Sequence, residues 1–255
     1  MDYKISSIAF FFFACLNLQA FSPGKWSHID RFIVPNDKKK PMREVVKNAR
    51  GEVIYSAHYF YNSDGLISEE KYYNANNKSE GGVIYKYKDK KLAEEALYDK
   101  KGNAKEKKEF LYDDKGDLEK MIVKSASGKP QVYYTLQKGP KKELFFVDIT
   151  WAKVRDQEFY TIRSDMDSDY IFYLDILNTS REKVGTTKYM YDRKGNLIGR
   201  LNIQGKRMRQ QNIRYDKVGN ITNLLFHVKR GKKWFKVKEH QLLYGNKRDT
   251  VGKEK

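Results

Sequence analysis

Cysteine is nearly absent from this chain of 255 residues, in which the one copy is Cys15. Because Cys15 lies in an N-terminal export segment, we expect the mature protein to contain no cysteine. That excludes disulfide bonds and thiol catalysis. An exported chain without disulfides is more typical of a bacterial envelope than of the small secreted domains of eukaryotes.

Long apolar runs are missing after residue 24, so we expect no transmembrane span in the mature chain. The first twenty residues, "MDYKISSIAFFFFACLNLQA", combine a polar start containing Lys4 with an apolar run too short to cross a bilayer. This pattern predicts a signal peptide over residues 1–20, cleaved after Ala20. The protein is then exported, and is periplasmic, outer-surface or secreted.

Cys15 also supports a different interpretation. The string "FFAC" resembles a bacterial lipobox, with Ala14 directly before the cysteine and Phe12 where an aliphatic residue is usual. In this alternative Cys15 carries a lipid and the protein is an envelope lipoprotein. Both interpretations use the same export route.

Side chains in catalytic or metal-binding patterns are also lacking. The four histidines, at positions 28, 58, 227 and 240, do not have the spacing of a metal site, and no serine lies in a nucleophile-elbow motif. The sequence therefore predicts no cofactor, no metal and no enzyme. A hydrolase with two carboxylates is a weaker hypothesis, because such pairs meet only in space.

The chain is rich in tyrosine and contains segments in which residues of one face alternate strictly with residues of the other, as in a β-strand. There are 19 Tyr residues, and Tyr can bury its ring while its hydroxyl stays hydrated, which suits half-exposed sheets. "EVIYSAHYFY" places Val53, Tyr55, Ala57, Tyr59 and Tyr61 on one face of a strand. "KLAEEALYDKKGNAKEKKEF" has a composition that suits a helix, but the register of a repeat runs through it, so we predict strand and turn.

One short motif recurs along the chain. It begins with Tyr, continues with Asp or Asn and two exposed residues, and then has Gly. The Asp or Asn side chain can accept hydrogen bonds from backbone amides, and Gly can take a left-handed conformation, so each copy predicts a hairpin loop. The defining residues are Tyr61, Asn62 and Gly65; Tyr98, Asp99 and Gly102; Tyr112, Asp113 and Gly116; Tyr191, Asp192 and Gly195; and Tyr215, Asp216 and Gly219.

The string Y-D-x-x-G-N-L resembles the YD repeat of the RHS family, whose members are large bacterial exported or toxin-associated proteins with long β-repeat arrays. The resemblance implies architecture, with a lean toward carbohydrate or surface binding. We therefore predict a mainly β protein, an antiparallel meander of hairpin repeats in an open extended sheet or a stack of sheets. The sequence alone does not decide whether the sheet closes.

The predicted organisation has three parts. The signal peptide at 1–20 is followed by a basic lead-in or linker at 21–50 and a β-repeat domain at 51–255. "IQGK" at 203–206 is a candidate turn within a double repeat. Repeats cover about 51–124 and 186–245, whereas residues 125–185 contain less regular, more apolar strands that are expected to be buried on both faces or packed across the sheet.

Acidic residues are scarce in the C-terminal third of the chain. Residues 181–255 contain 21 Lys and Arg but 6 Asp and Glu. The excess of basic residues in this segment accounts for most of the formal net charge of +18. Alternation predicts a face that carries Trp234, Lys236, Lys238 and His240. The candidate anion-binding residues are Arg207, Arg209, Arg214, Lys229, Arg230, Lys232, Lys233, Trp234, Lys236 and Lys238.

Such a surface attracts polyanions. The candidate partners are an acidic glycan, anionic lipid head groups or an envelope protein; nucleic acid fits the charge but not the export signal. The first hypothesis is non-catalytic binding to an anionic glycan or surface. The alternative is a structural or protein-interaction module of the envelope, in which strand edges and a tyrosine-rich face contact a partner.

Overall fold

The computed structural model describes residues 41–138, 144–151, 154–164 and 171–244. The predicted signal peptide, the lipidation candidate Cys15 and the lead-in up to residue 40 lie outside these ranges. The described residues contain no helix that could cross a membrane.

Antiparallel strands account for most of the described chain, in agreement with the predicted mainly β meander. Residues 91–110, whose composition suits a helix, lie in two of them and in the loop between. The strands are β1 (Arg43–Asn48), β2 (Val53–Tyr61), β3 (Ile67–Asn74), β4 (Ser79–Lys88), β5 (Lys91–Tyr98), β6 (Ala104–Tyr112), β7 (Leu118–Ser125), β8 (Pro130–Lys138), β9 (Leu144–Trp151), β10 (Val154–Ser164), β11 (Ile171–Leu177), β12 (Lys183–Tyr191), β13 (Leu197–Gln204), β14 (Arg207–Tyr215), β15 (Ile221–Arg230) and β16 (Lys233–Leu243).

The sheet closes on itself. Each strand pairs with the strands before and after it in the chain, and β1 pairs both with β2 and with β16, which gives a closed barrel. β1 lies within the segment expected to be a linker. None of the described strands is therefore left at an edge, and this removes the unpaired backbone groups that make open sheets associate.

Nine of the described loops share one five-residue geometry. In each, the amide of the first residue donates to the carbonyl of the fifth, and the amide of the fourth donates to the carbonyl of the first. In the loop that starts at Asp192, the Asp192 carboxylate also accepts the amides of Lys194 and Asn196, at 2.8 and 2.9 Å, and Gly195 is left-handed with φ 80°. This is the geometry predicted for the repeat.

The same loop continues where the sequence repeat is hard to recognise. Residues 178–182 form it with Arg181 as the left-handed residue, at φ 65°, and residues 125–129 form it with Ser125 as the side-chain acceptor. The predicted turn in "IQGK" is present, since Gln204 pairs with Arg207. At these two described loops the geometry of the repeat persists although its sequence motif is lost.

Loops at the two ends of the barrel form two rims. Loops after odd-numbered strands make the first rim, and loops after even-numbered strands make the second rim, because every strand reverses direction. Four of the five recognised repeat loops, those after Tyr61, Tyr112, Tyr191 and Tyr215, lie on the second rim. The loop after Tyr98 lies on the first.

The core lines one face of the sheet, which we call the inner face. Paired residues such as Val46 and Tyr55, or Ala57 and Tyr72, are buried on it. One of its clusters extends into the less regular region, where it includes Ile149, Tyr160 and Leu174. Phe159, next to Tyr160, is also buried. Tyrosines at strand ends also bond across it: Tyr61, Tyr87, Tyr112 and Tyr215 donate to the carbonyls of Pro41, Ile67, Leu92 and Leu197, at 2.7, 2.8, 2.9 and 2.8 Å.

Three loop carboxylates are expected to make the stability of the barrel sensitive to acid. Hydrogen bonds lower the pKa of Asp99, Asp192 and Asp216. The largest lowering effect on the pKa of Asp99 comes from the Lys105 side chain. For Asp192 it is the side-chain amide of Asn196, and for Asp216 it is the backbone amide of Asn220. Groups with a lowered pKa in the folded state stabilise it above their unfolded pKa, near ~3.9, and lose that contribution as pH falls further.

We therefore expect the urea midpoint to fall as pH is lowered below about 4. A variant with Asp99, Asp192 and Asp216 all replaced by Asn should lose less stability, because Asn is the native acceptor in the loop that starts at Asn62. The matched control replaces Asp64, Asp89 and Asp114 by Asn. These side chains are not the ones that accept the backbone amides of their loops. Equal acid sensitivity of the Asp99, Asp192, Asp216 variant and the unmodified protein would contradict this prediction.

Candidate anion-binding surface

The basic candidates lie on three neighbouring strands, β14, β15 and β16, except Lys232, which lies in the turn between β15 and β16. Arg207 and Arg209 begin β14, Arg230 ends β15, and Lys233 begins β16. Arg209 pairs with Val228, and Arg230 pairs with Lys233. These positions are all close to the first rim, so the structure brings distant parts of the C-terminal sequence together at one end of the barrel.

A bulge in β16 divides the set between two faces. Lys238 pairs with Phe226 and Phe235 pairs with Val228, whereas Lys236 pairs with His227. Since Phe226 and Val228 share a face of β15, Lys238 shares that face with Phe235. The prediction that Lys238 and His240 share a face with Trp234 and Lys236 is therefore wrong, because the register shift reverses the alternation.

The register gives the distribution of all ten candidates. The inner-face group is Arg207, Arg209, Arg230, Lys233 and Lys238; the outer-face group is Arg214, Lys229, Trp234 and Lys236; and Lys232 lies in the turn between β15 and β16. Of the inner group, Arg207, Arg209, Arg230 and Lys233 are exposed. The exposed inner-face cations together with Lys232 form what we call the first-rim basic surface.

Acidic side chains within this block are few and already engaged. Between Arg207 and Leu243 the acidic residues are Asp216 and Glu239. Glu239 binds Lys236 at 3.1 Å, and Asp216 accepts backbone amides of its loop at 3.0 and 2.8 Å. The strands that carry the first-rim basic surface therefore have a large excess of basic over acidic residues.

Lys238 differs from the exposed cations. It is half-buried, and its ammonium lies 5.0 Å from the centre of the Phe226 ring. Burial lowers the pKa of Lys238, and the nearby Glu44 carboxylate partly offsets this effect. Lys238 is thus a component of the barrel wall rather than of the exposed surface.

Sequence reasoning missed two fully buried carboxylates. Glu44 accepts a hydrogen bond from the Tyr59 hydroxyl at 2.8 Å and forms a short contact with Nδ1 of His240. Glu70 accepts bonds from Tyr72 and Tyr85, at 2.7 and 2.6 Å. The signal in the sequence was the alternation itself, since Glu70 and Tyr72 are two residues apart and share the inner face.

The hydrogen bonds around Glu44 and Glu70 form a buried network that has the properties of a structural element. Burial, with the neighbouring Glu44 and Glu70 carboxylates as further causes, raises the pKa of Tyr59 well above its ordinary value. The Tyr59 hydroxyl therefore remains a donor at neutral pH. Across the part of the chain that the structure describes, no group of three or more His, Cys, Asp or Glu side chains is arranged to hold a metal ion.

Comparison with known proteins finds solved structures at low identity and low TM-score. No family model matches the chain, and no curated protein matches it. A porin-like protein from Bacteroides uniformis is 13% identical, with 79% of this chain and 95% of that chain covered and a TM-score of 0.39. TcdB2-TccC3 without its hypervariable C-terminal region is 12% identical with a TM-score of 0.28, and the match covers 72% of this chain but 12% of the other.

Proposed function

We propose that this protein is an exported bacterial envelope or surface protein that binds anionic glycans or other anionic surfaces without catalysis. The location is periplasmic, outer-surface or secreted, with lipid attachment at Cys15 as the alternative. The observation that carries the proposal is the first-rim basic surface, a group of exposed cations brought together at one end of the barrel by strands with few acidic residues. Exposed cations at one end of a barrel attract a polyanion through a field that salt weakens.

We also propose that the chain is a short array of RHS-type YD repeats. The support comes from the five sequence copies and from the common loop geometry, in which an Asp or Asn side chain accepts backbone amides. The loops with Ser125 and Arg181 are then degenerate copies that kept the fold and lost the motif.

The alternative role in protein interaction is less well supported by the pairing of the strands. β-strand addition needs an unpaired edge, and each described strand pairs on both sides. A protein partner would have to contact the outer face, on which Phe60 and Ile84 are partly exposed.

Retention on a heparin column tests the binding proposal. We expect the protein to be retained and to elute with salt, and a variant with Arg207, Arg209, Lys232 and Lys233 replaced by Gln to elute at much lower salt. Each lost ionic contact should reduce the slope of log affinity against log salt by roughly one unit.

The matched control removes the same charge elsewhere, with Lys78, Lys88, Lys100 and Lys115 replaced by Gln. These lysines are exposed and lie on β3 to β7 or in their loops. The control should elute close to the unmodified protein. If the two variants elute at the same salt concentration, retention reflects net charge alone and the first-rim basic surface is not a binding site.

A further inference from the structure

A cleft lies on the second rim, between two neighbouring repeat loops. One wall is the loop 192–196 between β12 and β13, and the other is the loop 216–220 between β14 and β15. Its lining includes Arg193, Lys194, Tyr215, Lys217 and Val218. It lies at the opposite end of the barrel from the first-rim basic surface.

The spacing of the strands sets the width of this cleft. Equivalent loops on one rim are two strands apart, which is about 10 Å in a sheet with strands about 4.8 Å apart. The loops are also held firmly. The side-chain amides of Asn196 and Asn220 each donate to the second carboxylate oxygen of Asp192 and Asp216, at 2.9 Å in both loops, so the walls are formed before any ligand arrives.

The charge of the cleft differs from that of the other second-rim loops of this geometry that the structure describes. Its acidic residues, Asp192 and Asp216, accept hydrogen bonds from their own loops, while Arg193, Lys194 and Lys217 are exposed. The central positions of the loops 62–66 and 113–117 instead include the acidic residues Asp64 and Asp114. Among the second-rim loops of this geometry that the structure describes, the pair that forms the cleft therefore has the most basic composition.

Tyr215 also lines the cleft, and it packs against a buried apolar cluster that includes Ile213 and Leu224. The Tyr215 hydroxyl donates to the carbonyl of Leu197 at 2.8 Å, which holds the ring in place, and Val218 is 77% exposed at the other loop tip. A fixed aromatic ring offers an apolar platform for the C–H face of a sugar, and neighbouring cations can bind a carboxylate through charge-assisted hydrogen bonds.

We propose that this cleft binds a carboxylate-bearing sugar unit, such as a uronic acid residue of an acidic polysaccharide. Arg193, Lys194 and Lys217 recognise the carboxylate, and Tyr215 packs against the ring. The site does not depend on binding at the first-rim basic surface, because the two lie at opposite rims and share no side chain.

Calorimetric titration of the full-length protein with trigalacturonate tests this proposal. We expect binding, and we expect a variant with Lys194→Gln and Lys217→Gln to bind about tenfold more weakly, since two exposed charge contacts are lost. Maltotriose, which is neutral, should not bind measurably, and inorganic phosphate should compete weakly.

The control variant carries Lys90→Gln and Lys115→Gln, in the second-rim loops after β4 and β6. It removes the same charge from the same rim and should bind trigalacturonate like the unmodified protein. An equal loss of affinity in both double variants would overturn the proposal, and so would equal binding of maltotriose. The variant lacking Arg207, Arg209, Lys232 and Lys233 should retain this site, so failure of the first-rim basic surface and failure of the cleft can be distinguished.

Discussion

Replacement of Gly82 by Ala is expected to destabilise the protein by about 3 kcal/mol or more. Gly82 lies in β4 and pairs with Lys71 of β3. A Cβ atom at this position would collide with the backbone carbonyl of Glu70. Because the obstacle is backbone and not the end of a flexible side chain, β3 and β4 would have to separate.

Urea unfolding of purified variants measures this effect, and Gly128→Ala provides the control. Gly128 is left-handed, with φ 82°, and has open space where a Cβ would be added. Its replacement should cost about 1 kcal/mol from backbone strain alone. A Gly82→Ala variant no less stable than Gly128→Ala would show that β3 and β4 do not approach as closely as described.

Replacement of Glu44 by Ala is expected to cost about 3 to 5 kcal/mol, the range for breaking a buried polar cluster by removing one member. The Tyr59 hydroxyl and Nδ1 of His240 would both lose their bonds to Glu44 inside the barrel. Glu44 belongs to β1, Tyr59 to β2 and His240 to β16. The loss of these bonds therefore falls on the strands that close the sheet.

Hydrogen exchange gives this prediction a local readout. Amides of β1 and β16 should exchange faster in the Glu44→Ala variant, while those of β6 and β7 should change less. Glu52→Ala is the control, because Glu52 is exposed in the loop between β1 and β2. Uniformly faster exchange in all strands, or no change in the free energy of unfolding, would argue against a role of Glu44 in closing the barrel.

The hairpins could be predicted from the sequence because each is encoded locally. Asp192 and Gly195 are close in sequence, and an Asp that accepts loop amides together with a left-handed Gly specifies a loop without help from distant residues. For the same reason the strands on either side of Asp99 could be predicted against their helical composition.

Closure of the barrel, and the division of the basic candidates between its two faces, depend on contacts between residues that are distant in sequence. Nothing in the six residues of β1 indicates that β16 is its partner, and one extra residue in β16 reverses which side chains share a face. Buried Glu44 and Glu70 were missed because a charged residue within an alternating pattern is normally assigned to solvent. Tyr72 lies in the same strand as Glu70, whereas Tyr59 and Tyr85 reach Glu44 and Glu70 from a neighbouring strand, so these contacts require the assembled sheet.

The pairing of β1 with β16 limits how this protein can change in length. In a meander the direction of the chain reverses at each strand, so the first and last strands are antiparallel only when the total number is even. Gain or loss of a whole two-strand unit preserves the closing seam and alters the circumference. Gain or loss of one strand would instead force a parallel seam, for which the present bonds between β1 and β16 have the wrong pattern. Duplication in this lineage is therefore expected to proceed in steps of two strands.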